Sequence, residues 1–248
     1  MAHKKTEKEV LLFIVEGSHD ETALAMPLEN LQKSCSSDGL IQIGVTHGDI
    51  TSDYKVNNVA HEVVKYAKKY CEMYKLKKSD IIKVVLLLDM DGAYIPDDAV
   101  IRSDTHERAF YSESQILHKC PEDIKKTHKL KQSRVNNLVG LKHVWGNIPF
   151  SAYFVSCNLD HVICGNANLT LQEKRNITDD FSLKYGEDAE GFLSFFCNSG
   201  LVLGETYDES WDAIKINLNS LKRFSNMNVF FDMHYLHINH ISAKELPR

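Results

Sequence analysis

Acidic side chains follow two strongly apolar stretches of the chain. Glu16 comes directly after residues 10–15, and Asp89 and Asp91 come directly after residues 81–88. Carboxylates that meet at one place repel one another unless a cation lies between them, and a site with only oxygen ligands suits Mg²⁺ or Mn²⁺ better than zinc. Such a site can activate water and stabilise the oxygens of a phosphoryl group. The pattern therefore indicates metal-dependent phosphate chemistry.

Glu113 is a further candidate metal ligand. It lies in the sequence Tyr-Ser-Glu-Ser, just beyond a predicted fourth strand, where an acid could join the other carboxylates at the edge of a sheet. The simpler interpretation is an exposed loop acid, and the sequence leaves both open.

A basic stretch lies between residues 119 and 134. It contains six Lys and Arg residues against two acids, Glu122 and Asp123. Lysine holds phosphate electrostatically whatever the base sequence, so a cluster of this kind predicts a nucleic-acid-binding surface. The candidate residues are Lys125, Lys126, Lys129, Lys131 and Arg134. A solvated helix face is the alternative interpretation.

The first half of the chain alternates strand-like and helix-like segments that could position these acids. The predicted strands and helices alternate, in chain order, over residues 10–15, 20–32, 40–45, 56–76 and 81–88. Pro27 should bend or shorten the first helix. The β-α-β-α-β order favours a parallel sheet with right-handed crossovers. If the first and third strands are neighbours, Glu16 and Asp89 converge at the carboxyl edge of that sheet.

The second half is less regular and mainly helical. We predict strands at 108–111 and 151–155 and a helix from Ile116 onward. Further helical segments are predicted at 160–164, 170–185, 189–197 and 208–224. Gly, Asn and Pro cluster at 146–149, which indicates a boundary there. The expected domains are a catalytic domain over 8–146 and a helical region over 147–248 that selects substrate or dimerises.

The two acidic motifs together resemble the TOPRIM domain, in which one strand ends in Glu-Gly and a later strand ends in Asp-x-Asp-Gly. The resemblance covers about residues 8–120. It implies an α/β fold with a TOPRIM-like (Rossmann-like) parallel sheet flanked by helices. By position, Glu16 resembles the family's catalytic glutamate, and Asp89 and Asp91 resemble its metal-binding pair. Asp20 matches the acidic position on which a second metal depends in OLD-type nucleases.

The resemblance also implies a class of activity. TOPRIM domains occur in primases, topoisomerases, OLD-family nucleases and small RNA-processing nucleases. This chain has no strand-passage region and no zinc-binding primase module, and Gly92 is followed by Ala93 and Tyr94 without the extra residues of topoisomerases. A stand-alone nuclease that uses Mg²⁺ or Mn²⁺ to cut RNA such as tRNA, or DNA, is therefore expected.

The chain's size and architecture are similar to the TOPRIM effector of PARIS-like anti-phage systems. That similarity implies an antiviral defence or toxin-like role, a regulatory protein partner such as an ATPase, and a homo-oligomer.

Two other functions fit some of the same residues. Haloacid dehalogenase-type phosphatases use an Asp-x-Asp-Gly motif in which the first aspartate, here Asp89, is a nucleophile. In that family the motif opens the core and is usually followed by Thr, whereas here two β-α units precede it and Ala93 follows. The second alternative is a non-catalytic interaction protein built on a TOPRIM scaffold.

Cysteine and histidine groups are weaker metal candidates. Cys157, His161 and Cys164 have a spacing that could serve a metal, but no second pair at zinc-finger spacing accompanies them. Asn158 or Asp160 is instead expected to cap a helix. Near the C-terminus, histidines recur every three residues, at His234, His237 and His240.

Bulk composition bounds the class of protein. A net charge of −5 argues against a wholesale nucleic-acid coat, and 43% hydrophobic residues are typical of a globular chain. Six cysteines without CxxC spacing indicate reduced thiols. No segment resembles a signal sequence or approaches the roughly 20 apolar residues of a membrane span, so we expect a cytoplasmic protein without membrane contact.

Overall fold

A computed structural model of the protein describes residues 9–35, 41–198 and 200–233. The strands are β1 (Glu9–Val15), β2 (Ile41–His47), β3 (Ile81–Asp89), β4 (Val100–Arg102), β5 (Phe110–Tyr111), β6 (Ile116–His118), β7 (His143–Val144) and β8 (Ile148–Val155). The helices are α1 (Ser18–Cys35), α2 (Val59–Tyr74), α3 (Pro121–Val139), α4 (Leu159–Cys164), α5 (Leu171–Tyr185), α6 (Ala189–Phe196), α7 (Tyr207–Ala213) and α8 (Met227–Phe231). The histidines at 234, 237 and 240 lie outside the described residues.

The main sheet has five strands in the order β2-β1-β3-β8-β7. The first four strands are parallel, and the two-residue β7 is antiparallel to β8. The structure therefore confirms the expected α/β sheet in which the first and third strands are neighbours. β1 is buried from Val10 through Val15, as a strand covered on both faces must be.

The two faces of the sheet carry separate apolar layers. Leu11, Phe13 and Val15 point to one face, where they pack with α1, α5, α6 and α8. The alternate residues of β1 point to the other face, where α2, α3 and α7 cover them. Successive side chains of a strand alternate between faces, so one short apolar run contributes to both layers. No helix in the described parts of the chain has the length and apolar character needed to cross a membrane.

The predicted domain boundary at 146–149 is wrong. β8 begins at Ile148 and pairs with β3 from Val84↔Phe150 to Asp89↔Val155, so the main sheet continues across the proposed division. The Gly and Pro cluster belongs instead to the hairpin that joins β7 to β8. Gly146 has φ +87° in that turn, a conformation that glycine adopts without steric cost.

Residues 97–118 form a small second sheet rather than a fourth strand of the main one. Its order is β4-β6-β5, and the strand predicted at 108–111 is the two-residue β5. The helix predicted from Ile116 is also wrong, because Ile116 is buried in β6 beside Val100. The helix begins only at Pro121, whose fixed φ and missing N–H suit a first helical position.

The remaining helices differ from expectation mainly in length. α1 passes through Pro27 without ending, because Ala23, Leu24 and Leu28 on the same face are buried against the sheet. The predicted helix at 56–76 is α2, which begins after its cap Asn58. The predictions at 170–185 and 189–197 are confirmed by α5 and α6. In the segment 208–224 only the first part is α-helical, as α7, and Asn219–Leu221 forms a short 3₁₀ helix.

Candidate metal-binding site

The two acidic motifs meet at the carboxyl edge of the main sheet. Glu16 follows β1 and Asp89 ends β3, which pairs directly with β1. The turn after Asp89 is fastened to the end of β8, since the Asp91 N–H donates to the Cys157 carbonyl at 2.8 Å. Asp91 has φ +49° and Gly92 has φ +69°. This sharp turn brings Asp89 and Asp91 to the same edge as Glu16.

Gly92 is required by space as well as by conformation. A Cβ at this position would lie 2.8 Å from the Leu221 side chain and 2.9 Å from that of Ile116. Both are fully buried, so neither can move aside easily. The Asp-Met-Asp-Gly turn therefore packs directly on the small second sheet.

Lys131 occupies the space among these acids. Its Nζ donates to Asp91 Oδ2 at 2.5 Å, to the Asp89 carbonyl at 2.6 Å and to Glu16 Oε2 at 3.4 Å. The side chain is only 1% exposed. Burial by itself lowers the pKa of Lys131, but the attraction of Asp91, Glu16 and Asp89 more than offsets that effect, and the pKa is raised. The lysine is a fixed internal cation.

The prediction that Lys131 and Arg134 belong to a phosphate-binding surface is wrong. Arg134 is 6% exposed and donates to the carbonyls of Thr51 and Val56 at 2.8 and 2.6 Å. Both side chains lie on the inner face of α3, where they satisfy buried oxygen atoms. The other three candidates, Lys125, Lys126 and Lys129, lie at least partly exposed on α3, as the prediction requires of a surface.

Glu16 is largely buried and held in a fixed orientation. The Thr51 hydroxyl donates to its Oε1 at 2.6 Å. Burial raises the pKa of Glu16 to about 7, although Lys131 partly lowers it. A carboxyl with this pKa exchanges protons near neutral pH, as a general acid or base must.

Asp20 and Asp89 also lie close to other negatively charged side chains. Asp20 lies in the first turn of α1, where the Gly17 N–H donates to its Oδ2 at 2.8 Å. Burial raises the pKa of Asp20 to about 6 despite that bond. Burial, together with the charges of Asp20 and Glu16, raises the pKa of Asp89 well above its usual value. Lys131 thus leaves part of the local negative charge uncompensated.

Asp160 is a site residue that the sequence prediction missed. It lies at the start of α4, just beyond β8, and is 3% exposed. Lys174 Nζ lies 2.5 Å from Asp160 Oδ2, whereas Oδ1 has no hydrogen-bond partner among the described residues. Its signal in the sequence is its place in the first turn of the helix that follows β8, which the predicted boundary at 146–149 separates from the other acids. Asn158, one of the two expected caps, does cap α4 through the His161 N–H.

Together these acids line a small open cavity of about 220 Å³. The residues around it are Glu16, Gly17, His19, Asp20, Asp49, Asp89, Asp160 and Lys174. All four buried or partly buried carboxylates on that list come from strand ends or first helical turns, where the backbone fixes them. The cavity lies beside the Lys131 contacts and is lined mainly by oxygen donors.

Glu113 is not among the residues that line this cavity. It is exposed in the turn between β5 and β6. Its neighbour Tyr111 lies near the site instead: burial and the charges of Asp91 and Asp89 raise the pKa of its phenol, and it lines the same groove as these two acids. Nothing in the local sequence distinguishes the two, because the small sheet sets which side chain points inward. The structure therefore favours the loop-acid interpretation of Glu113.

A divalent metal fits the donor chemistry of the cavity, although the side chains are not already arranged around an ion. Among the described residues, no group of three or more His, Cys, Asp or Glu side chains is arranged to hold a metal ion. Cys157, His161 and Cys164 therefore do not form such a group in this structure. The unpartnered oxygen of Asp160 and the raised carboxyl pKa values both indicate a deficit of positive charge. Oxygen donors of this kind suit Mg²⁺ or Mn²⁺.

Comparison of the chain with protein-family models, with curated proteins and with solved structures gives no match. The TOPRIM resemblance therefore stays a prediction that depends on the acidic motifs.

Replacement of Lys131 tests its role as internal cation. Lys131→Met keeps the length of the side chain but leaves Glu16 and Asp91 without their buried counter-charge, so the free energy of unfolding should fall by about 3–5 kcal/mol in EDTA at neutral pH. Urea unfolding measures this loss. Lys129→Met, on the exposed face of the same helix, is the matched control and should change stability by about 0.5 kcal/mol or less. Equal stability of the two variants would contradict the role.

The pH dependence of stability tests the excess negative charge. Because the pKa of Glu16 is about 7 in the folded chain and 4.5 ordinarily, the folded state binds more protons, and stability without metal should fall as pH rises between those values. Mg²⁺ should raise the melting temperature more at pH 7.5 than at pH 5, since it competes with protons. Glu16→Gln should reduce both effects. A melting temperature that behaves identically in wild type and Glu16→Gln would refute this charge assignment.

Proposed function

We propose that the protein is a Mg²⁺- or Mn²⁺-dependent nuclease that hydrolyses phosphodiester bonds in nucleic acid. The observation that carries this proposal is the convergence of Glu16, Asp20, Asp89 and Asp160 at one sheet edge, with raised pKa values for the first three carboxyls. One buried oxygen of the fourth has no hydrogen-bond partner in the part of the chain that the structure describes. Perturbed carboxyls grouped in an open cleft are typical of catalytic sites. The order of the motifs along the chain adds the TOPRIM resemblance.

The carboxylates would hold the metal and Glu16 would move the proton. A bound divalent ion would supply charge stabilisation for the phosphoryl oxygens and lower the pKa of a coordinated water. Asp20, Asp89 and Asp160 would hold it. Glu16 is a candidate general base because its pKa lies near neutrality and Thr51 fixes its orientation.

Two lysines would have different tasks. Lys131 is buried, so it acts as a positioning residue that keeps Glu16 and Asp91 together in spite of their repulsion. Lys174 is 29% exposed beside Asp160, so its ammonium group can meet an incoming phosphate. Lys131 is therefore an internal cation, whereas Lys174 faces solvent. This arrangement supports phosphate chemistry at the open side of the acidic cavity.

The biological setting of the proposal rests on resemblance alone. RNA such as tRNA and DNA are both candidate substrates. A role as an antiviral defence or toxin-like effector, a controlling partner such as an ATPase, and a homo-oligomeric state are what similarity to PARIS-like TOPRIM effectors implies. The cytoplasmic location, which the sequence rather than the resemblance suggests, stays a proposal.

A non-catalytic scaffold is the second candidate function, and one observation favours it. Lys131 already supplies a cation among Glu16, Asp89 and Asp91, so the fold can be stable without a metal. A scaffold of this kind would bind a partner and cut nothing. The phosphatase alternative would instead use Asp89 as a nucleophile, and its hydrolysis of small phosphate monoesters would not require Glu16.

Cleavage assays separate these functions. Plasmid, single-stranded DNA, tRNA and ribosomal RNA are incubated with Mg²⁺, with Mn²⁺ or with EDTA. We expect metal-dependent cutting that falls about 100-fold or more in Glu16→Gln and in Asp89→Asn, because the first removes the general base and the second removes a metal ligand.

Glu122→Gln, an exposed carboxyl on α3, is the matched control and should cut like wild type. Cutting that survives both Glu16→Gln and Asp89→Asn would place the activity elsewhere and contradict the proposal. Hydrolysis of small phosphate monoesters that is lost in Asp89→Asn but kept in Glu16→Gln would establish the phosphatase alternative.

A further inference from the structure

A groove of about 780 Å³ opens directly from the acidic site. Asp89 and Asp91 are among the residues that line it. One wall is the segment 105–111, which leads into β5, and the other wall contains Asn158, residues 167–169 and Lys174. Pockets that enclose small ligands span roughly 300–1,000 Å³, so the groove has room for a few nucleotides of one strand.

An aromatic surface lies in the first wall. Phe110 pairs with Leu117 in the small sheet, yet the residue is 38% exposed. Its ring centroid lies 4.8 Å from that of His106. The His106 ring is held in turn by the Ser103 hydroxyl at 2.7 Å from Nδ1. The exposed ring of Phe110 is therefore supported from behind and kept in place.

Hydrogen bonds connect the two walls to each other and connect the first wall to the end of β6 and the residue after it. The Asn168 side chain accepts from the Tyr111 N–H at 2.8 Å and donates to the Tyr111 carbonyl at 2.7 Å. The His118 ring contacts the Glu107 carbonyl at 3.0 Å, and the Lys119 N–H donates to the His106 carbonyl at 2.8 Å. The width of the groove is thus set by hydrogen bonds on both sides.

Positive charge in the groove is available to a ligand. Arg108 is exposed and makes no ion pair or side-chain hydrogen bond with any residue that the structure describes. Lys174 lies at the opposite wall, near Asp160. Cations beside an aromatic face are the combination by which proteins hold single-stranded nucleic acid, since the cation contacts phosphate and the ring stacks on a base.

We propose that this groove binds an unpaired stretch of nucleic acid, with a base stacked on Phe110, a phosphate at Arg108, and the adjoining phosphodiester directed to Asp89 and Asp91. This inference rests on the proposed function and names its substrate class. In a duplex the faces of the bases are covered by neighbouring base pairs, so a ring in the wall of a groove could not reach them without extruding a nucleotide. Single strands and loops present those faces directly.

Binding measurements test the groove independently of cleavage. Fluorescence anisotropy is recorded in Ca²⁺ with labelled hexamers of thymidine, of uridine and of abasic deoxyribose, and with a DNA duplex, while gels confirm that the probes stay intact. Wild type should bind the thymidine or uridine hexamer more tightly than the duplex. Phe110→Ala should weaken that binding about 10-fold, and Phe110→Tyr, which keeps the ring, should bind like wild type. The thymidine and uridine probes distinguish DNA from RNA.

The abasic probe separates stacking from a general structural effect. It keeps the phosphates but has no bases, so wild type and Phe110→Ala should bind it equally. Tyr74→Ala removes an exposed aromatic side chain that does not line the groove, and it should bind every probe like wild type. Duplex binding as tight as hexamer binding, or an equal loss of abasic and base-containing probes in Phe110→Ala, would overturn the proposal.

The groove and the nuclease proposal fail in different ways. If wild type binds the hexamers through Phe110 but cuts no nucleic acid, the nuclease proposal fails and the groove stands. If Phe110→Ala binds the hexamers and cuts nucleic acid as well as wild type does, the groove proposal fails and the nuclease stands.

Discussion

The contact between the Lys131 ammonium and the acids at the sheet edge is the interaction on which this structure depends. A buried ammonium and a buried carboxylate each cost several kcal/mol to remove from water, and only close pairing with further hydrogen bonds offsets that cost. Lys131 meets this condition with oxygen atoms from Glu16, Asp89 and Asp91, which follow or end two neighbouring strands. The contact therefore joins α3 to the ends of β1 and β3 and allows several acids to be held close together.

The segment between β3 and β8 supplies the buried counter-charge of the acidic site and part of the groove beside it. It includes the Asp91–Gly92 turn, the small sheet that packs against Gly92, and α3 with Lys131. It also includes Phe110 and Arg108, which line the groove that leads to the site. A long insertion before the fourth parallel strand thus builds both the internal counter-charge and the path by which a substrate would enter.

Local rules predicted part of the site well. Glu16, Asp89 and Asp91 follow apolar runs, and the position of acids at the carboxyl ends of strands depends only on those runs and on strand order. Asp160 lies in the first turn of α4 rather than at the end of β8, so the rule for strand ends does not identify it, and the predicted boundary at 146–149 separates it from the other acids. The inward position of Lys131 also left a signal. Val135 and Leu138 lie four and seven residues after it and are fully buried, so helical spacing places all three on one face.

Other features had no signal in the local sequence. That Tyr111 and not Glu113 lies near Asp91 depends on how the β5–β6 pair packs against the distant Asp91–Gly92 turn. The unpartnered oxygen of Asp160 and the raised pKa of Glu16 likewise result from burial by the assembled fold. The residue types show which chemistry a site could perform. Burial and the balance of charge then determine which of those residues have the pKa and the orientation that this chemistry needs.

The most direct test of this account is a crystal structure of the protein with Mn²⁺, in which anomalous scattering locates the ion. The account predicts an anomalous peak in the cavity between Glu16, Asp20, Asp89 and Asp160, with Lys131 still bonded to Asp91, and no such peak in Asp89→Asn crystals treated in the same way. A fully occupied Mn²⁺ elsewhere with this cavity empty, or a cavity peak that persists unchanged in Asp89→Asn, would contradict it.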